Sequence, residues 1–153
     1  MKVNRTNISL FLSVSVIALI SMIGCSGEKQ PDGLPSLYPV TILVTQEGQP
    51  MEGASVALTV PDGSLSWVIG GITGADGKAT LRTQGKYDGA PAGKYNVQIS
   101  KNVYEEDVKV IQHVEDAYMS AKNTPIKVEI TKETKLLEVD AGPAVRIEKP
   151  MLR

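Results

Sequence analysis

A chain of 153 residues with one cysteine and one histidine has few routes to covalent or metal chemistry. Cys25 has no second thiol to pair with, so an intramolecular disulfide is excluded. His113 stands alone, and a lone histidine without cysteine partners does not assemble the usual zinc ligand set. No Gly-x-Ser-x-Gly elbow exists to bring it a serine nucleophile, so it reads as a surface residue. Glu105, Glu106, Asp107, Glu115 and Asp116 are the densest charge feature. Calcium ligands alternate around a tight glycine turn, whereas these acids are contiguous, and they read as a solvated face. Asp62, Asp76 and Asp88 fall in turn sequences, where a carboxylate accepts hydrogen bonds from backbone amides just ahead of it. The binding chemistry that remains is aromatic. Trp67, the sole tryptophan, is in phase with Leu65 and Ile69, which fits core packing. With Tyr87 and Asp88 in the following glycine-rich loop, it is also a candidate ligand contact, offering rings on which a sugar stacks.

The N-terminus sets where this chemistry would operate. Lys2 and Arg5 precede an apolar run from Ile8 to Ile23, which ends at the small Gly24. Such a run reads as a secretory signal over residues 1–24 and is short for a membrane span of about 20 apolar residues. Met22-Ile23-Gly24-Cys25 resembles the bacterial lipobox. The resemblance implies lipid attachment at Cys25 by acyl chains such as palmitate, which become the partner of the membrane. Two or three chains meet the requirement for stable anchoring. Ser26 follows in place of an aspartate retention signal, which favours the outer membrane or cell surface if the cell has two membranes.

Charge narrows the function classes further. The whole chain has 16 basic and 17 acidic residues, and loss of Lys2 and Arg5 leaves 14 basic ones, near −3. A nucleic-acid binder shows a basic surplus, so nucleic acid is excluded as a partner. At 42% hydrophobic and 22% charged, the chain has enough apolar residues for one modest core.

Residues 25–37 are polar and rich in Gly and Pro, the composition of a flexible tether of about 3.3 Å per residue at full stretch. Period-2 alternation then predicts a β-domain over 38–149. Its inward sets are Tyr38, Val40, Ile42 and Val44; Ala54, Val56, Leu58 and Val60; Leu65, Trp67 and Ile69; Ala79, Leu81 and Thr83; Tyr95, Val97 and Ile99; Ile126, Val128 and Ile130; and Leu137 with Val139. Turn sequences separate them, and Gly70-Gly71 is expected to loosen or bulge its strand. Residues 102–124 break the rhythm. Ile111, Val114, Tyr118 and Ala121 make a helical stripe, predicting one or two turns near 114–121. Residues 144–149 add an edge strand or a tail. The pattern is an all-β, seven-stranded antiparallel sandwich with one short helical connection.

Three segments carry a resemblance. Gly48-Gln49-Pro50-Met51-Glu52-Gly53-Ala54-Ser55-Val56, Thr73-Gly74-Ala75-Asp76-Gly77 and Ala92-Gly93-Lys94-Tyr95-Asn96-Val97 resemble the turns and strand entries of carboxypeptidase regulatory-like domains. Tyr118 and the segment Asn123 to Ile130 resemble the end of small transthyretin-like bacterial lipoproteins. The resemblance implies an immunoglobulin-like (transthyretin-like, prealbumin-like) sandwich and brings no catalytic residue with it. Hydroxyisourate hydrolysis, known on transthyretin-like folds, wants several His and Arg in one pocket. This chain has one His, and three Arg (Arg82, Arg146, Arg153) after residue 24. The expectation is a non-enzymatic, lipid-anchored envelope protein without cofactor or metal. Its partners are an envelope protein or polysaccharide, and a carbohydrate-binding module is the alternative.

Overall fold

The computed structural model describes residues 31–63, 67–105 and 109–150. The leader over 1–24, Cys25, the first part of the tether, Leu65, Glu106 and Asp107 lie outside the described residues. In chain order the elements are β1 (Leu37–Tyr38), β2 (Thr41–Gln46), β3 (Gln49–Pro50), β4 (Ser55–Thr59), β5 (Ile69–Ile72), β6 (Lys78–Thr80), β7 (Arg82–Thr83), β8 (Tyr87–Asp88), β9 (Ala90–Pro91), β10 (Gly93–Ser100), β11 (Asn102–Glu105), β12 (Lys109–Gln112), α1 (Asp116–Met119), β13 (Lys127–Ile130), β14 (Leu136–Asp140) and β15 (Ile147–Pro150).

The fold is all-β. One sheet runs β13-β10-β4-β5-β7-β8, a second runs β14-β2-β3 with β6 also paired to β2, and a third runs β11-β12-β15. β1 pairs with β9, so Leu37 lies opposite Pro91. No sheet closes into a barrel. The alternation in the sequence explains the packing. Val40, Ile42 and Val44 turn inward from the second sheet, and Val56, Leu58, Val97 and Ile99 from the first, to form one core cluster. Burying such side chains contributes about 1.5–3 kcal/mol each.

Particular turns are fixed by chemistry at single residues. Asp76 accepts the Lys78 backbone N–H through Oδ1 at 3.1 Å, as its turn sequence predicts. Gly77 next to it has φ of 72°, a left-handed value that favours glycine, and a Cβ there would lie 2.8 Å from the Val44 carbonyl oxygen. Thr73 is buried, and its hydroxyl accepts the Ala54 N–H at 2.8 Å and donates to the Met51 carbonyl, closing the turn between β3 and β4.

Four local expectations are corrected. Gly70 and Gly71 do not loosen a strand; they form the middle of β5, in register with Ala57 and Val56. The reason is close backbone approach, because a Cβ on Gly70 would lie 2.4 Å from the Val56 carbonyl oxygen. Second, the sandwich is not wholly antiparallel. β14 runs parallel to β2, since the chain leaves the first sheet at Ile130, turns through Thr131–Thr134 and enters the second. Third, residues 102–112 include two strands, β11 and β12, in place of an irregular connection. β11 is exposed throughout and β12 buries the consecutive pair Ile111 and Gln112, so neither shows period-2 alternation. Fourth, the helical turn expected near 114–121 is present as α1, but Ile111, the first residue of the helical stripe, is in a strand.

Candidate functional site

At the end of the first sheet, where β4 finishes and β5 and β10 begin, a groove of about 480 Å³ opens. That is within the usual size range of small-ligand sites. Its floor is Ala57 and Thr59 of β4 with Asn96 of β10, and Thr59 and Asn96 are direct cross-strand partners. Val60, Pro61 and Trp67 wall one side, and Ala121 and Lys122 the other. Trp67 is half-buried, packs against the core cluster and lines the groove.

The far wall is built by polar residues whose partners are on the chain itself. The Thr124 hydroxyl donates to the Val97 carbonyl at 2.6 Å and accepts the Ile126 N–H at 3.2 Å, stitching residues 124–126 to β10. The Asn96 amide donates through Nδ2 to the Ala121 carbonyl at 2.9 Å. That acceptor fixes the amide orientation, since the opposite flip would set two oxygens against each other.

The orientation has a cost. Asn96 is only 8% exposed, and its Oδ1 has no hydrogen-bond partner among the described residues. The Oγ1 of neighbouring Thr59 is also buried and unpartnered. A buried hydrogen-bonding atom left unpaired costs about 1–3 kcal/mol, and buried polar groups are otherwise almost always paired. The two atoms belong to neighbouring residues that line the groove together with Asp62 and Lys122, and each is closed off from solvent. Below them Tyr95, also part of the lining, is satisfied: its hydroxyl donates to the Pro91 carbonyl at 2.9 Å, and burial raises its pKa.

Asp62 also lines the groove, and the other residues singled out by sequence fall elsewhere. Tyr87 and Asp88 form β8 at the sheet edge and do not line the groove. Asp88 pairs with Arg82 at 2.9 Å, and the Lys86 ammonium sits 5.7 Å from the Tyr87 ring centre. His113 is half-buried; its backbone N–H donates to the Lys101 carbonyl, and its own carbonyl accepts Gln46 Nε2 at 2.9 Å. Glu105 pairs with Arg146 at 3.4 Å and Asp116 with Lys149 at 3.2 Å. Among the described residues, no three His, Cys, Asp or Glu side chains converge on a metal position, and no helix is long and apolar enough to cross a membrane.

Sequence reasoning passed over Thr59 and Asn96 because each occupies an outward phase, the normal place for a solvated polar residue. Only the β4–β10 register sets them side by side, and only the 121–126 segment covers them. Comparison with protein-family models, with curated proteins and with solved structures finds no match for this chain.

Proposed function

We propose that this chain is a lipid-anchored, non-enzymatic protein of the cell envelope. Its 38–149 domain is an immunoglobulin-like sandwich of transthyretin-like type, held at the outer membrane or cell surface where two membranes are present, and it binds an envelope partner through the groove. The N-terminal pattern supports the anchoring: a basic start, a short apolar run and Gly24-Cys25. A single observation supports the binding, namely a groove of about 480 Å³, a small-ligand size, lined by the half-buried Trp67.

The anchoring is tested by mass spectrometry of the protein from membranes of its own cells. The expected result is an N-terminus at Cys25 carrying acyl chains, and a Cys25→Ala protein that leaves the membrane fraction. Recovery of the wild type soluble and unacylated would sink this half of the proposal.

A further inference from the structure

We infer that the outer edge of β11 is a pairing surface for a second copy of this chain, so that two β11-β12-β15 sheets join across a twofold axis at Val103. The inference goes beyond the groove and does not depend on it.

The ladder shows which backbone groups are open. The His113 N–H donates to the Lys101 carbonyl at 2.9 Å, so these two residues are a bonded pair at the base of the β11-β12 hairpin. Bonded pairs recur at every second residue, which makes Val103 with Ile111 and Glu105 with Lys109 the next ones. Asn102 and Tyr104 therefore direct their N–H and C=O groups away from β12. No strand among the described residues occupies that edge. All four residues of β11 are exposed, the large apolar Val103 and Tyr104 among them. An open edge of this kind templates another strand unless something blunts it. The opposite edge of the sheet is blunted. By the same alternation Glu148 and Pro150 of β15 face outward there, and Pro150 has no N–H to give.

Self-complementarity names the occupant. Take two copies of β11 antiparallel, with Val103 opposite its own counterpart. Asn102 then faces Tyr104 of the other copy, so the residues with open backbone groups meet as bonded pairs, which gives four hydrogen bonds. Val103 meets Val103 at a non-bonded position, where side chains are closest. Lys101 meets Glu105 twice, once on each side of the axis, so opposite charges sit across from each other on the face that carries Val103. Glu105 reaches Arg146 through Oε1 at 3.4 Å, and its Oε2 is the acceptor for Lys101 of the second copy. Hydrogen-bond phase, apolar match and charge match all fall in one register, as an isologous contact requires. Four residues a side make a small interface. Copies held on one membrane, as proposed above, meet at the raised effective concentration that suits it.

The test is a disulfide trap in membranes from the protein's own cells. Directly opposed non-bonded residues have Cα atoms about 4.5 Å apart, within disulfide reach. Val103→Cys should give a disulfide-linked dimer on mild oxidation, with the 103–103 linkage located by mass spectrometry of the joined peptides. Ile72→Cys is the control. Ile72 is 72% exposed and Val103 41%, so chance collision favours the control. The expected yield from position 103 is about tenfold above it, as a docked pair holds the thiols together. Adding Tyr104→Pro should abolish the dimer. It removes an outward N–H and leaves the β12 ladder whole, because that N–H is not in it. Lys101→Glu is the second variant should the proline chain fold poorly. It should lower the yield several-fold at low salt and less at high salt. A yield from Val103→Cys no higher than from Ile72→Cys overturns the inference. So does a dimer that both Tyr104→Pro and Lys101→Glu leave intact, or a disulfide only to a different protein. A soluble, unacylated protein that still forms the 103–103 linkage removes the anchoring and keeps the dimer.

Discussion

Two regions of this domain treat polar groups in opposite ways. In the β11-β12-β15 sheet, charges are numerous, exposed and paired. Arg146 reaches Glu105 at 3.4 Å and Glu148 at 3.5 Å, Lys109 reaches Glu148 at 3.6 Å, and Lys149 reaches Asp116 at 3.2 Å. Between β4 and β10, on residues beside the groove, there are two neutral atoms, buried and unpaired. The first region contains the most conspicuous residues in the sequence and the weaker energetics, since exposed ion pairs contribute about 0–1 kcal/mol each. The second region looks ordinary in the sequence and carries the larger cost. Density of charge is therefore a poor guide to energetic cost here, and unsatisfied hydrogen-bonding capacity is a better one.

The comparison can be strained from the sheet that supports the groove. Gly70→Ala forces a Cβ against the Val56 carbonyl oxygen and separates β5 from β4 beside Ala57. We expect a loss of about 3 kcal/mol in denaturant unfolding, near the upper end for overpacking. Thr124→Val comes second. It leaves the Val97 carbonyl and the Ile126 amide without their side-chain partner and loosens the wall at Ala121, for a loss of about 2 kcal/mol in the same measurement. A Thr124→Val protein as stable as wild type would show that the wall is held by other means.

Thr59→Val makes the contrast sharper because its expected sign is reversed. Removing an unpaired buried hydroxyl while keeping its shape should leave stability unchanged or raise it by up to about 1 kcal/mol, seen as a higher thermal midpoint. A clear loss of stability would mean that the hydroxyl has a structural duty. Arg146→Ala should cost less than about 1 kcal/mol, and the cost should shrink further in high salt.

The smallest effect is in acid. The Gln112 side-chain amide donates to Asp116 at 2.8 Å, and with Lys149 beside it the carboxyl titrates below the usual aspartate value of 3.8. A lowered native pKa means stability that is present above the unfolded value and is lost as pH falls through the native one. Asp116→Asn should therefore lower stability slightly at neutral pH, with the difference from wild type vanishing as pH falls below about 4, so that the pH dependence there is flatter.

The sequence made the core readable because each buried strand alternates. Ile42 and Val44, Val56 and Leu58, and Val97 and Ile99 are all buried, as their period-2 spacing predicts. It hid β11 and β12 because β11 is exposed throughout and β12 buries two consecutive residues, Ile111 and Gln112, so neither alternates. It misread Gly70-Gly71 because composition cannot tell a loose strand from one that another backbone crowds. The candidate site was half visible. Trp67 stood out by residue type, and it does line the groove. Asn96 and Thr59 are 37 positions apart in numbering, and their adjacency exists only once β4 and β10 are paired in register.

Two exposed residues, one on the groove and one away from it, allow the central claim to be tested with a matched control. Val68 lines the groove and is 70% exposed; Tyr104 lies on β11 in the charged sheet and is 65% exposed. A photoreactive residue placed at one or the other samples solvent almost equally, so exposure alone cannot favour either. The decisive measurement is photocrosslinking in living cells, followed by mass spectrometry of the adducts. The account predicts a specific envelope adduct from position 68, lost when Cys25 is changed to Ala, and none from position 104 other than with a second copy of this chain. An adduct with a different molecule from position 104, with none from 68, would contradict it and move the binding surface to the charged sheet.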